Sequence, residues 1–215
     1  MLHSDNIPVL LLTGYLGSGK TTLLNRILSN RKGIRFAVIV NDIGEVNIDA
    51  ELIQKGGVVA QQDDSLIALQ NGCICCSLKM DLVQQLRDLC ATNQFDYIVI
   101  EASGICEPAP IAQTICSYPS MVPASSAPTP VLDAIVSVVD ALRLRDEFME
   151  QLSPVTSSSF PVAKADDLAA LVIQQIEFCN LILLNKVSEV SEAERKQIIS
   201  IIRAIQPKAQ IFECD

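Results

Sequence analysis

The chain has 215 residues, 49% apolar and 19% charged, enough to enclose a full core in one domain and too apolar for a disordered or coiled-coil chain. A net charge of −9 argues against a nucleic-acid binder, because neutralising phosphates needs clustered Lys and Arg. No apolar run approaches the roughly 18 residues that span a bilayer, and residues 1–8 carry no signal-peptide pattern, so the expected setting is cytoplasmic, away from membranes. In that setting the eight cysteines read as thiols or metal ligands before disulfides. The one histidine, His3, lies near the terminus, so an internal metal site has to use sulfur or oxygen.

Short apolar runs alternate with helical periods. Residues 8–13 (PVLLLT) read as a strand buried on both faces. A glycine-rich turn, 14–19, leads into a helix over 20–30 with Leu23, Leu24, Ile27 and Leu28 on one side. A second strand spans 35–40, and one or two short strands surround an Asp-rich turn in 56–70. Helix 78–90 places Leu78, Leu82, Leu86 and Leu89 on one face, and strand 96–101 follows. Further on, helices are expected at 108–116, 141–151, 166–178 and 191–205, and strands at 132–139, 180–185 and 209–213. Ser191 and Glu194 form a capping-box pair at the start of the last helix. Stretches 117–130 and 153–161, rich in Pro and Ser, read as loops. Strands separated by helices predict an α/β fold with a mostly parallel sheet and helices on both faces.

The sharpest motif is Gly14-Tyr15-Leu16-Gly17-Ser18-Gly19-Lys20-Thr21, a complete G-x-x-x-x-G-K-[ST] phosphate loop between a buried strand and an amphipathic helix. Backbone N–H groups around Gly14, Gly17, Ser18, Gly19 and Thr22 would cradle phosphate at a helix N-terminus. Lys20 would reach the β- and γ-phosphates, and the Thr21 hydroxyl would ligate Mg²⁺. An apolar strand delivers Glu101 at its C-terminal end, where a carboxylate can hold Mg²⁺ or orient water, and Gly104 allows close approach to the γ-phosphate. Asn185-Lys186-Val187-Ser188 approximates the guanine-reading N-K-x-D, with Ser in place of Asp. A hydroxyl does not match a bidentate carboxylate, and Glu189, one position on, is turned away from that direction.

Residues 71–76 read Asn-Gly-Cys-Ile-Cys-Cys, so Cys73, Cys75 and Cys76 supply three sulfurs that suit Zn²⁺ or another soft divalent ion. Buried structural cysteines and a C-x-x-C redox pair are the competing readings. Cys90, Cys116, Cys179 and Cys214 read as structural. The acidic segment 41–49, with Asp42, leaves the same sheet edge as the phosphate loop; its carboxylates would join Mg²⁺, complete the cysteine site or simply face solvent.

These motifs resemble the CobW-like metallochaperone GTPases, relatives of the urease and hydrogenase nickel-insertion GTPases in the SIMIBI class. The shared features are GYLGSGKT, NDIGEVNIDAELI, LQNGCICC, EASG and NKVS, spanning residues 8–188. The resemblance implies a P-loop GTPase domain over 1–215, slow Mg²⁺-dependent GTP hydrolysis, and Zn²⁺ or a similar ion on the cysteines for delivery to a client protein. From charge and the absence of a spanning run no nucleic-acid or membrane partner is expected, and a homodimer is among the assemblies allowed. Asp42 stands where the family usually has Glu, and Ser188 where Asp is usual. The family's smaller C-terminal domain is not expected within these residues. Lys20, Thr21 and Glu101 are the expected catalytic residues, and with no arginine placed as a finger, turnover is expected on the order of 10⁻² s⁻¹ or below. A small-molecule kinase or ATP-dependent ligase on the same fold, and a non-catalytic zinc-binding regulator, are the alternatives.

Overall fold

The computed structural model describes residues 6–29, 33–40, 68–70, 79–123, 127–146 and 162–215, with backbone alone for 68–70 and 162–168. Among the described residues seven strands form one sheet: β1 (Asn6–Thr13), β2 (Phe36–Val40), β3 (Ala68–Gln70), β4 (Tyr97–Glu101), β5 (Thr129–Asp140), β6 (Leu181–Asn185) and β7 (Gln210–Glu213). Their order is β3-β2-β4-β1-β5-β6-β7, and every described pairing is parallel. The helices are α1 (Lys20–Leu28), α2 (Lys79–Thr92), α3 (Pro108–Met121), α4 (Ala141–Leu144), α5 (Val162–Glu177) and α6 (Glu192–Ile205). No described helix is long and apolar enough to cross a membrane.

Because side chains alternate along a strand, each apolar run serves two cores. Ile7, Val9 and Leu11 of β1 join Ile98 and Ile100 of β4 beneath Leu82, Leu86 and Leu89 of α2 and Ile111, Ile115 and Tyr118 of α3. On the same face, Ile182 and Leu184 of β6 meet Val172 and Ile176 of α5 and Ile198 and Ile202 of α6. Leu10 and Leu12 point the other way, with Val38, Val99 and Val138, toward Leu24 of α1. The α/β architecture with helices on both faces is therefore the observed one.

Several boundaries differ from the sequence expectation. The loop expected over 117–130 is helix up to Met121, then strand from Thr129. Pro119 sits in the last turn of α3, so the one helical bond it forfeits, to the Ile115 carbonyl, falls where the helix is ending, and the buried ring of Tyr118 holds that turn against the core. Strand 132–139 is longer, Thr129–Asp140, because β1 starts at Asn6 and its first residues need a partner: Asn6 pairs with Thr129 and Ile7 with Pro130. The 166–178 helix begins earlier, at Val162. Helix 141–151 is described only through α4, and its remainder, like the 153–161 loop, lies outside the described residues. Outside them too lie His3, segment 41–67 and residues 71–78.

Candidate functional site

The candidate residues that the structure describes collect at the C-terminal edge of β1, β4, β5 and β6, the edge where open α/β sheets bind ligands. Turn 14–19 joins β1 to α1, with Gly14, Gly17 and Gly19 at φ 137, 74 and 109, the left-handed region. Gly19 is the N-cap of α1; its φ of 109 favours glycine, and a Cβ on it would stand 2.5 Å from Asn185 Nδ2 and displace that amide. The first turn of α1 carries no acidic residue, leaving its N–H groups and dipole to favour an anion. Ser18 is buried, and Thr22 lies in that first turn with its side chain exposed. The Lys20 ammonium donates to the Tyr15 carbonyl at 3.1 Å, which holds the charge over the loop.

β4 runs beside β1, pairing Leu12 with Glu101, and so brings a carboxylate buried to 1% exposure up to the phosphate loop. The Thr21 hydroxyl donates to Glu101 Oε1 at 3.0 Å. A hydroxyl and a carboxylate converging beside a phosphate cradle are the hard oxygen donors that Mg²⁺ takes, so this pair fits that ion. Gly104, in the turn after β4, is buried against the loop: a Cβ there would lie 2.6 Å from the Leu16 nitrogen. Buried Gln175 of α5 fixes that turn by donating to the carbonyls of Gly104 and Cys106, each at 3.3 Å.

β6 ends at Asn185, whose amide donates to the Ser18 carbonyl at 2.8 Å. Lys186 takes φ 59 and caps the 3₁₀ turn Val187–Glu189. Its ammonium meets Asp140 Oδ2 at 2.5 Å. Asp140, at the end of β5, also accepts from the Arg143 backbone at 3.1 Å, capping α4. Arg143 donates to the Leu16 carbonyl at 2.9 Å and lies 4.1 Å over the Tyr15 ring. Leu16, Gly17, Asp140, Arg143 and Lys186 line a groove of about 360 Å³ between the phosphate loop and the NKVS turn.

Gly14, Gly17, Ser18, Gly19, Lys20, Thr21, Thr22, Glu101, Gly104, Asn185 and Lys186 thus fall along one edge. Asp42, Cys73, Cys75 and Cys76 lie outside the described residues, and among those described no group of three His, Cys, Asp or Glu could hold a metal ion. Sequence reasoning missed Asp140, Arg143 and Gln175. Asp140 had a local signal, an acid between an apolar strand and a helix start; the others reach the site from distant elements and had none.

The sequence profile of the family "CobW/HypB/UreG, nucleotide-binding domain" matches residues 8–213. Over 217 residues the chain is 38% identical to the "Zinc-regulated GTPase metalloprotein activator 1" of Dictyostelium discoideum, covering 97% of this chain and 46% of that protein. It is 37% identical over 194 residues to "Zinc chaperone YjiA" of Escherichia coli (strain K12), covering 88% of this chain and 52% of that protein. The fold is similar to the crystal structure of Zn(II)-bound YjiA GTPase from E. coli, with TM-score 0.60 and 29% identity over 97% of this chain and 57% of that one. The chain spans about half the length of the relatives it matches.

Proposed function

The chain belongs to the CobW/HypB/UreG nucleotide-binding domain family, and we propose that it binds and slowly hydrolyses GTP to control a zinc or similar divalent cargo ion destined for a client protein. The observation that carries this reading is the bond between Thr21 and Glu101, 80 residues apart in sequence, at the mouth of the phosphate loop. Names of relatives that specify zinc support the metal.

In this reading the amides from Gly17 to Thr21 hold the β- and γ-phosphates, and the Lys20 ammonium offsets their charge. Thr21 and Glu101 would hold Mg²⁺, which spreads charge over the phosphate oxygens. Asn185 braces the loop while Asn185 and Lys186 seat the base. Gly104 brings the turn after β4 close to the loop, so the site closes around the γ-phosphate with little room for stray water. Cys73, Cys75 and Cys76 carry the cargo ion, and segment 41–49 senses the γ-phosphate and alters their geometry, so that nucleotide state changes metal affinity.

Purified protein should release free phosphate from GTP on the order of 10⁻² s⁻¹ or more slowly, with no phosphorylated small molecule formed. Lys20→Ala should abolish that release. Zn²⁺ affinity, measured by chelator competition, should differ between a non-hydrolysable GTP analogue and GDP, and should vanish in the Cys73/Cys75/Cys76 triple serine variant. Equal zinc affinity in both nucleotide states rejects the coupling, and Lys20-independent phosphate release rejects the site.

A further inference from the structure

Guanine presents two donors side by side, its N1–H and 2-amino group, and a carboxylate accepts both. The NKVS turn ends in Ser188, whose single neutral oxygen does not provide that face. Glu189 does not fill the gap: the 3₁₀ turn that holds it rotates each successive side chain by about a third of a circle.

A carboxylate nevertheless stands at Ser188. β7 runs parallel to β6, pairing Glu213 with Leu184, so the residues after β7 emerge next to the NKVS turn. Cys214 fixes the approach. Its N–H donates to the Leu184 carbonyl at 2.9 Å, its carbonyl accepts from the Val187 N–H at 3.4 Å, and its thiol donates to Asn185 Oδ1 at 3.7 Å. Asp215 Oδ1 then accepts the Ser188 N–H at 2.9 Å.

Building on the GTP reading above, we infer that Asp215 supplies the base-reading carboxylate that Ser188 lacks, making it the guanine-specificity residue of this site. A carboxylate offers about four lone-pair positions, so bonds to Ser188 leave acceptors for two donors of a base. The backbone N–H and hydroxyl of Ser188 hold the Asp215 carboxyl below its ordinary range, which keeps it ionised at neutral pH. Asn185 and Lys186, already tied to the phosphate loop, set the base plane at the same turn.

The test is nucleotide ranking by titration calorimetry with GTP, ATP and xanthosine triphosphate, on wild type, Asp215→Asn, Ser188→Asp and the double variant. Wild type should prefer GTP over ATP. Asp215→Asn should lose about ten- to a hundredfold in GTP affinity, the worth of one charged hydrogen bond, with ATP affinity unchanged. It should also gain xanthosine triphosphate, because an amide offers one acceptor to N1–H and one donor to the C2 carbonyl. Ser188→Asp should restore GTP preference in the double variant, a rescue that a merely structural role would not produce. An unchanged ranking in Asp215→Asn overturns the inference and leaves the GTP reading intact; a wild type that binds GTP and ATP equally tightly overturns the inference and the guanine preference of that reading with it. A wild type that binds no purine triphosphate overturns both. If Asp215→Asn melts early and loses ATP as well, Asp215→Glu with wild-type melting decides: retained GTP preference supports the inference, and its loss with ATP binding intact overturns it.

Discussion

At the scale of single residues the phosphate loop is held by close approaches at Gly14, Gly19 and Gly104. Gly104 shows it best: a Cβ would lie 2.6 Å from the Leu16 nitrogen and 2.8 Å from its Cγ, so alanine has to push the loop away. Displacing reacting groups by about 1 Å costs roughly a hundredfold in rate. Gly104→Ala should therefore lower phosphate release from GTP by about that factor in a single-turnover assay, with a smaller effect on GDP affinity. An equal loss in GDP affinity would place the damage in the cradle instead. Thr21→Ala removes the hydroxyl on Glu101, and its deficit should shrink as Mg²⁺ is raised, measured as the magnesium dependence of phosphate release. Lys20, Thr21, Glu101 and Asn185 were legible in the sequence because each lies in a short window whose chemistry is self-contained. Arg143, Gln175 and Asp215 were not, because each bonds there to a partner 27 to 127 residues away.

At the scale of elements, the cap of α6 tests how local chemistry sets a boundary. Ser191 Oγ accepts from the Glu194 N–H at 3.3 Å, and Glu194 Oε2 accepts from the Ser191 N–H at 2.8 Å. Ser191→Ala should cost about 1 kcal/mol in urea unfolding, with the slope against denaturant unchanged, and Ser191→Asp should recover most of it. An effect below a few tenths would mean that burial of Ile198 and Ile202 alone holds the helix. This start was readable because the S-x-x-E signal and the apolar period agree. The end of α3 was not, since Pro119 reads as a breaker while Tyr118, buried by a core that forms only on folding, carries the helix to Met121. Similarly, the first residues of β5 carry no strand period of their own; they are strand because β1 lies beside them.

For the whole molecule, five cysteines among the described residues divide by burial: Cys90, Cys106 and Cys179 are buried, Cys214 is partly so and Cys116 is exposed. Burial pushes the Cys90 thiol up to about 11 and the Cys179 thiol up to about 12. Since the thiolate is the reactive form, iodoacetamide at pH 8 should label Cys116 and spare Cys90 and Cys179 until denaturant is added, as read by peptide mass spectrometry. The same burial fixes the sign of an alkaline transition. An unfolded chain releases these protons near the ordinary 9.0, whereas the folded chain keeps them until about 11 and 12. Above 9.0 the unfolded state therefore binds fewer protons, and stability falls as pH rises, by up to about 1.4 kcal/mol per pH unit for each proton withheld. The phenols of Tyr97 and Tyr118, also raised by burial, extend the decline to higher pH. Melting temperature should be nearly constant from about pH 7 to 8.5 and then drop steadily, because the thiols' contribution is complete below the unfolded-state value. Cys90→Ala should lower the plateau through the small cavity it leaves and flatten part of the drop. A slope between about pH 9 and 11 identical to wild type in that variant would show that the alkaline loss comes from groups other than this thiol.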